Sequence, residues 1–287
     1  MKKSKLFASL ALSVFALGMP FSASVKADEM APVNDQVPIY RLYNKNTGEH
    51  FYTPSSNELI SLQTAGWTSE GIGWYAPSAG DPVYRIYNPN AKGGDHYYTM
   101  NKAEADYNVS LGWKWDNNGK PTFYSGGKIA DYVAYNPNAD SGAHNYTTDL
   151  NEQNNLLNVG WIYGAVAWQA TAAGTNSINA DQIVKKNTAT IQGLWKNDQG
   201  DTLKIIDDQL ILNGKNLNGG TFTDLWSGVE KGTYGSVSFP LNYETGRALI
   251  ILPAGIVVGN DDKSNYTVDR IVIGQDATST QHAFYRA

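Results

Sequence analysis

Between Val37 and Gln169 the apolar and polar positions run through one rhythm three times. Each pass opens with an alternating, tyrosine-rich run: Val37-Pro-Ile-Tyr-Arg-Leu-Tyr-Asn44, Pro82-Val-Tyr-Arg-Ile-Tyr-Asn88 and Asp131-Tyr-Val-Ala-Tyr-Asn136. Asn-rich turn residues follow, then a second β-type run: Glu49-His-Phe-Tyr-Thr53, Asp95-His-Tyr-Tyr-Thr99 and Ala143-His-Asn-Tyr-Thr147. Alternation on both sides of a turn predicts a hairpin. The period then changes. Ser55, Asn101 and Asp149 each stand three residues before Glu58, Glu104 and Glu152, the signature of a capping box. Apolar residues such as Leu59, Leu62 and Ala65, or Leu156, Leu157 and Val159, next recur at helical spacing. Gly66, Gly112 and Gly160 should end these helices, because glycine tolerates the left-handed conformation just past a helix end. A closing aromatic strand follows around Trp74-Tyr75, Phe123-Tyr124 and Trp168, so each unit reads β-β-α-β.

His50, His96 and His144 are separated by 46 and 48 residues, too regular for coincidence. One such unit cannot bury its apolar face alone, whereas three around a shared axis can. The expected fold is therefore mainly β, with a pseudo-threefold β-trefoil-like module over 37–169. Residues 170–177, Ala-Thr-Ala-Ala-Gly-Thr-Asn-Ser, read as a linker. From 178 to 287 a helical turn or two precedes short strands at Gly193–Ile205, Gln209–Leu212, Gly235–Phe239, Ala248–Leu252, Thr267–Ile273 and His282–Arg286. Their spacing predicts a small antiparallel barrel or sandwich.

Upstream, Lys2, Lys3 and Lys5, an apolar stretch from Leu6 to Phe21 and the approach Val25-Lys26-Ala27 have the layout of a secretory signal peptide cleaved near Ala27, leaving 28–36 as an extension. The localisation expected is secreted, extracellular or wall-associated, without membrane insertion. The leader carries four lysines and no acid, so the 22 basic residues fall to 18 against 27 acidic ones, a net charge of −9. That balance argues against nucleic acid and anionic lipid as partners. The chain has no cysteine, which removes disulfides, thiolate metal sites and thiol nucleophiles. With 17% charged residues but 18 tyrosines and 8 tryptophans, the surface depends on Asn, Ser, Thr, Gly and Tyr for polarity, which suits neutral polar ligands.

The His-Phe-Tyr-Thr box, the Ala-Gly-Trp helix end and the Gly-Ile-Gly-Trp-Tyr strand together resemble an uncharacterised triple-repeat module of secreted bacterial proteins, also appended to cell-wall hydrolases. This resemblance implies wall- or glycan-associated targeting. The third copy departs from the pattern, with Ala134 read where Arg41 and Arg85 stand and Asn145 in place of the box aromatic; if each copy carries a site, the third is the one expected to have lost or altered its own. The run from Gly193 to Ile205, preceded by Asp181-Gln-Ile-Val-Lys185, resembles a lipocalin-like extracellular domain of Gram-positive bacteria and implies extracytoplasmic residence.

Tyr52, Tyr98, Tyr146, Trp74, Tyr75 and Tyr124 are the candidates for an exposed face that stacks on sugar rings. Arg41 and Arg85 either hold a carboxylate-bearing ligand or make cross-strand ion pairs and ring stacks. Trp67, Trp113 and Trp161 are expected in the core. The three histidines either converge as a zinc site or tie hairpin to helix within each copy; the second reading is preferred, and no metal or cofactor is expected. Asn260, Asp261 and Asp262 form an acidic turn that suits solvent better than calcium. No Gly-x-Ser-x-Gly, His-Glu-x-x-His or phosphate-binding glycine loop is present. The expectation is a monomeric, non-catalytic binding protein for cell-wall or surface glycans. The alternatives are a protein-binding adhesin or inhibitor and, third, a wall hydrolase with an unrecognised site.

Overall fold

Tyrosine-rich hairpins and glycine-stopped helices alternate through the first half of the chain in the order the sequence predicts. The computed structural model describes residues 36–221, 230–231, 237–242, 247–258, 262–274 and 277–287. The expected leader and most of the 28–36 extension lie outside them.

The first strand–strand–helix–strand unit comprises β1 (Gln36–Asn44), β2 (Glu49–Thr53), α1 (Ser56–Thr64) and β3 (Thr68–Pro77). The second comprises β4 (Asp81–Tyr87), β5 (His96–Thr99), α2 (Lys102–Ser110) and a closing strand split into β6 (Lys114–Trp115) and β7 (Phe123–Ser125). The third comprises β8 (Ile129–Tyr135), β9 (His144–Thr147), α3 (Leu150–Asn158) and β10 (Ile162–Ala170). Each hairpin is antiparallel, with Arg41 opposite Tyr52, Arg85 opposite Tyr98 and Val133 opposite Tyr146.

The caps explain where the helices start and stop. Ser55 accepts from the Glu58 N–H, Asn101 from Ala103 and Glu104, and Asp149 from Asn151. The reciprocal half of the expected capping box is absent. The cap N–H groups instead donate to the box threonines Thr53, Thr99 and Thr147, each at 3.0 Å, which frees the glutamates for other partners. At the far ends Gly66, Gly112 and Gly160 have φ of 97°, 104° and 99°. The N–H of the following Trp67, Trp113 and Trp161 donates back to the carbonyls of Leu62, Asn108 and Leu156, a Schellman closure.

The expected linker is a strand. β11 (Ala172–Thr175) pairs with β3, giving the sheet order β11-β3-β1-β2. Small residues allow this approach: a Cβ on Gly174 would fall about 2.0 Å from the Ile72 carbonyl oxygen. After α4 (Ala180–Val184) come β12 (Gly193–Lys196), β13 (Thr202–Ile206), β14 (Gln209–Leu212), β15 (Lys215–Thr221), β16 (Glu230–Lys231), β17 (Val237–Asn242), β18 (Arg247–Leu252), β19 (Arg270–Gly274) and β20 (Tyr285–Arg286). They form two antiparallel sheets, β15-β14-β13-β12-β20 and β16-β17-β18-β19. Trp195, Leu203, Ile205 and Leu210 of the first share a core with Val237, Phe239, Leu249, Ile251 and Ile271 of the second. Of the two expected forms it is the sandwich, and the described strands close no barrel. Among the described residues no helix is long and apolar enough to cross a membrane.

The two halves meet through α1. Gln63 donates to the Ala287 carbonyl at 2.8 Å and accepts from the Leu194 N–H at 2.8 Å, while Ser56 donates to Asp207 at 2.6 Å. Accordingly α1 buries Ser56, Leu59, Ile60 and Gln63, whereas α2 buries only Ala105 and α3 only Gln153.

Candidate functional site

The box tyrosines lie at the centre. The Tyr98 hydroxyl accepts from the Tyr52 N–H and donates to the Tyr52 carbonyl, Tyr146 does the same to Tyr98, and Tyr52 accepts from the Tyr146 N–H, at distances from 2.8 to 3.2 Å. Their rings stand edge to face at 5.4–5.6 Å. A second aromatic triangle covers them: Trp74, Phe123 and Trp168, with centroids 5.3–5.7 Å apart. Burial pushes the three tyrosine hydroxyls above the ordinary phenol range.

This arrangement corrects the expected stacking face. Tyr52, Trp74, Tyr98 and Tyr146 are at most 2% exposed and Tyr75 is 4%, so none can meet a ligand's face; only Tyr124 is half-buried. Burying six large rings at the strand crossing yields more hydrophobic free energy than displaying them, and each buried hydroxyl finds a backbone partner. The helix-end tryptophans show the opposite departure. Trp67, Trp113 and Trp161, expected inside, are half-buried at the periphery, because the Schellman turn carries them away from the sheet.

The arginines are internal clasps between successive copies. Arg41 makes a bidentate pair with Glu152 of the third copy at 2.6 and 2.8 Å and also meets Glu70 at 2.8 Å. Arg85 pairs with Glu58 of the first copy at 2.8 and 3.1 Å, contacts Asp116 and lies 4.4 Å over the Phe51 ring. Neither is available to a carboxylate-bearing ligand. Burial alone would raise the Glu152 carboxyl, but the Arg41 fork outweighs it and holds the group below the usual carboxylate range. The third copy lacks this clasp: the strand register puts Val133, not Ala134 as expected, at the arginine position, opposite Tyr146 as Arg41 is opposite Tyr52 and Arg85 opposite Tyr98, and Gly164 stands where Glu70 and Asp116 stand in the others.

Two of the three histidines also bridge copies, where a tie from hairpin to helix within one copy was expected. His96 Nδ1 lies 2.6 Å from Glu49 and His144 Nδ1 lies 3.6 Å from Asp95, each acid belonging to the preceding copy. The corresponding acid for His50 would be residue 143, which is alanine. His50 Nε2 instead faces Arg41 at 3.0 Å and Glu70 at 3.3 Å, and its buried Nδ1 has no hydrogen-bond partner. No group of three potential metal ligands occurs among the described residues. Asp262 is taken by Arg270 at 2.7 Å and by Ser264, while Asn260 and Asp261 lie outside the described residues.

The ring at the second box position fills each junction between copies, with one exception. Phe51 sits 6.0 Å from Trp67 and 4.8 Å from His96. Tyr97 sits 6.4 Å from Trp113 and 4.8 Å from His144. Between the third copy and the first, Asn145 takes this position, donating to Glu152 at 3.4 Å and accepting from the Tyr52 hydroxyl at 3.3 Å. A cavity of about 320 Å³ opens there, lined by Trp161, His50, Tyr43, Asn145, Glu152 and Leu156 among others. Sequence reasoning singled out Asn145 but missed the cavity and Tyr43. The paired departures at 143 and 145 were the signal available.

A family model described as Domain of unknown function (DUF5648) matches residues 27–171, and another, Domain of unknown function (DUF6287), matches residues 165–287. No curated protein and no solved structure matches the chain.

Proposed function

Since the chain belongs to the family of the domain of unknown function DUF5648, with a DUF6287 domain after it, we propose that it is a secreted, non-catalytic binding protein that attaches to cell-wall or other surface glycans through its first half. In this reading the three units form a pseudo-threefold, β-trefoil-like body. The cyclic tyrosine bonds and the paired aromatic triangles support that closure.

One observation carries the binding role: Trp67, Trp113 and Trp161 each stand half-exposed just past a helix end, fixed there by a backbone bond. A rigid indole presents a flat apolar face at low entropic cost, and sugar rings have apolar faces that match it. The intact chain should be retained saturably on purified peptidoglycan or on a glycan array and be released by free sugar. The triple variant Trp67→Ala/Trp113→Ala/Trp161→Ala should lose retention. Undiminished retention of that variant, or none by the wild type, refutes the reading.

A protein-binding role draws on a different feature. β10 exposes Ile162, Tyr163 and Val166, at 43%, 71% and 49%, and Tyr163 holds a φ of 85° that is strained for a non-glycine residue. Loss of a protein partner on Tyr163→Ser, with glycan retention unchanged, would establish that second role.

A further inference from the structure

The geometry points to a single sugar-binding slot, located where the third copy meets the first and created by Asn145; this deepens the glycan reading above and rests on it. At the other two junctions the chain itself shows what the slot accepts. A six-membered ring, Phe51 or Tyr97, lies between a helix-end tryptophan and the histidine of the next copy. At the third junction the tryptophan and the histidine remain, as Trp161 and His50, but the ring between them is gone.

What replaces the ring is polar. Asn145 presents an amide, Glu152 a carboxylate neutralised by the Arg41 fork, and Tyr43 a phenol whose ring lies 5.0 Å from that of His50. His50 Nδ1 is buried without a hydrogen-bond partner, as is His144 Nδ1, and Ala143 leaves it without even the nearby acid that Asp95 supplies 3.6 Å from His144. An aromatic ring would fill the space but leave His50 Nδ1 unsatisfied, which is costly for a buried polar atom. A hydroxylated ring satisfies both demands, stacking on Trp161 while its hydroxyls reach Asn145, Glu152 and His50. With Glu152 neutralised by Arg41 and no lysine or arginine in its lining to pair with an anion, the slot takes an uncharged pyranose. Its volume of about 320 Å³ sits at the small end of ligand pockets and holds one or two sugar rings.

The copy that departs most from the repeat is then the one that binds, and the two regular junctions are closed by their own side chains. Asn145→Phe should plug the slot as Phe51 plugs its own, and Trp161→Ala should remove its stacking wall without filling it. Each should weaken retention on purified peptidoglycan, and titration with soluble disaccharide fragments released from it, by about tenfold or more. Tyr107→Ala, which removes an exposed ring of α2 that does not line the slot, should stay within about twofold. Thermal melts confirm that the variants fold. Wild-type retention that survives both Asn145→Phe and Trp161→Ala overturns the slot and leaves glycan attachment standing. No wall retention, but disaccharide binding lost in Asn145→Phe, upholds the slot and ends the wall-attachment reading. Neither retention nor disaccharide binding by the wild type ends both.

Discussion

The junction between the first and second copies and the junction between the third and first are built from the same sequence positions, yet one is solid and the other hollow. In the first, Phe51 fills the space, Glu49 meets His96, and Arg85 clasps Glu58 while lying over the Phe51 ring. In the second the arginine clasp persists as Arg41 with Glu152, but Ala143 and Asn145 remove the acid and the ring. The clasp is therefore kept where ring and acid are both lost, beside the tyrosine bond that also joins these two copies. Ring and acid are separable from it, and giving them up frees a cavity without opening the fold.

The largest test of this contrast is at the ring. Phe51→Ala, deleting a side chain that is 4% exposed, should cost about 3–4 kcal/mol in denaturant unfolding, whereas Asn145→Ala should cost about 1 kcal/mol because the space beside it is already open. Equal losses would mean that the third junction is as tightly filled as the first. Next comes the clasp. Arg85→Ala should cost about 3 kcal/mol by leaving Glu58 and Asp116 without their cation, and a double-mutant cycle with Glu58→Ala should show coupling. Strict additivity would remove the clasp from the account of how copies are joined.

The smallest expected effect is a gain, and it concerns another peculiarity of the third copy. Asp131 stands where Ile39 and Val83 stand in the other two, each opposite a ring of the triangle of Trp74, Phe123 and Trp168, and is 0% exposed. Its carboxyl lies near the Trp168 indole and the Thr147 backbone without well-formed hydrogen bonds, and burial pushes it well above the usual carboxylate range. The folded state therefore holds this proton more tightly than the unfolded chain does, so the group erodes stability as pH rises from about 4 toward its raised folded value. Asp131→Asn should stabilise the protein by about 1–3 kcal/mol at pH 7, with the gap closing below about pH 4. A destabilised variant at pH 7 would show that the ionised group is compensated.

Much of this was legible in the sequence because it is written in local chemistry. Ser55, Asn101 and Asp149 open helices, and Gly66, Gly112 and Gly160 close them, for reasons that reach no further than four residues. Gln209–Leu212 is a strand at the bounds its alternation indicates. Which of two thrice-repeated aromatics points inward was not legible. Tyr52 and Trp67 look alike as repeat positions, and only the packing of six strand-borne rings against one another puts the first inside and leaves the second at the edge. The composition of Ala172–Thr175 suggested a tether, whereas its small residues serve close contact with β3. The glutamates of the capping boxes were read as helix-start residues, and two of them instead reach an arginine in the next copy, a long-range contact that spacing cannot reveal.

The tyrosine cycle sets a limit on how this molecule can change. Every hydroxyl in it serves the main chain of a neighbour, so removing one unit would strand an amide and a carbonyl in a dry interior, and adding a fourth would break the circuit. Copy number is thereby frozen, while residues on the outer seams are free to drift. A chain locked at its hub in this way can acquire new surfaces by substitution at one seam, with no need to lengthen.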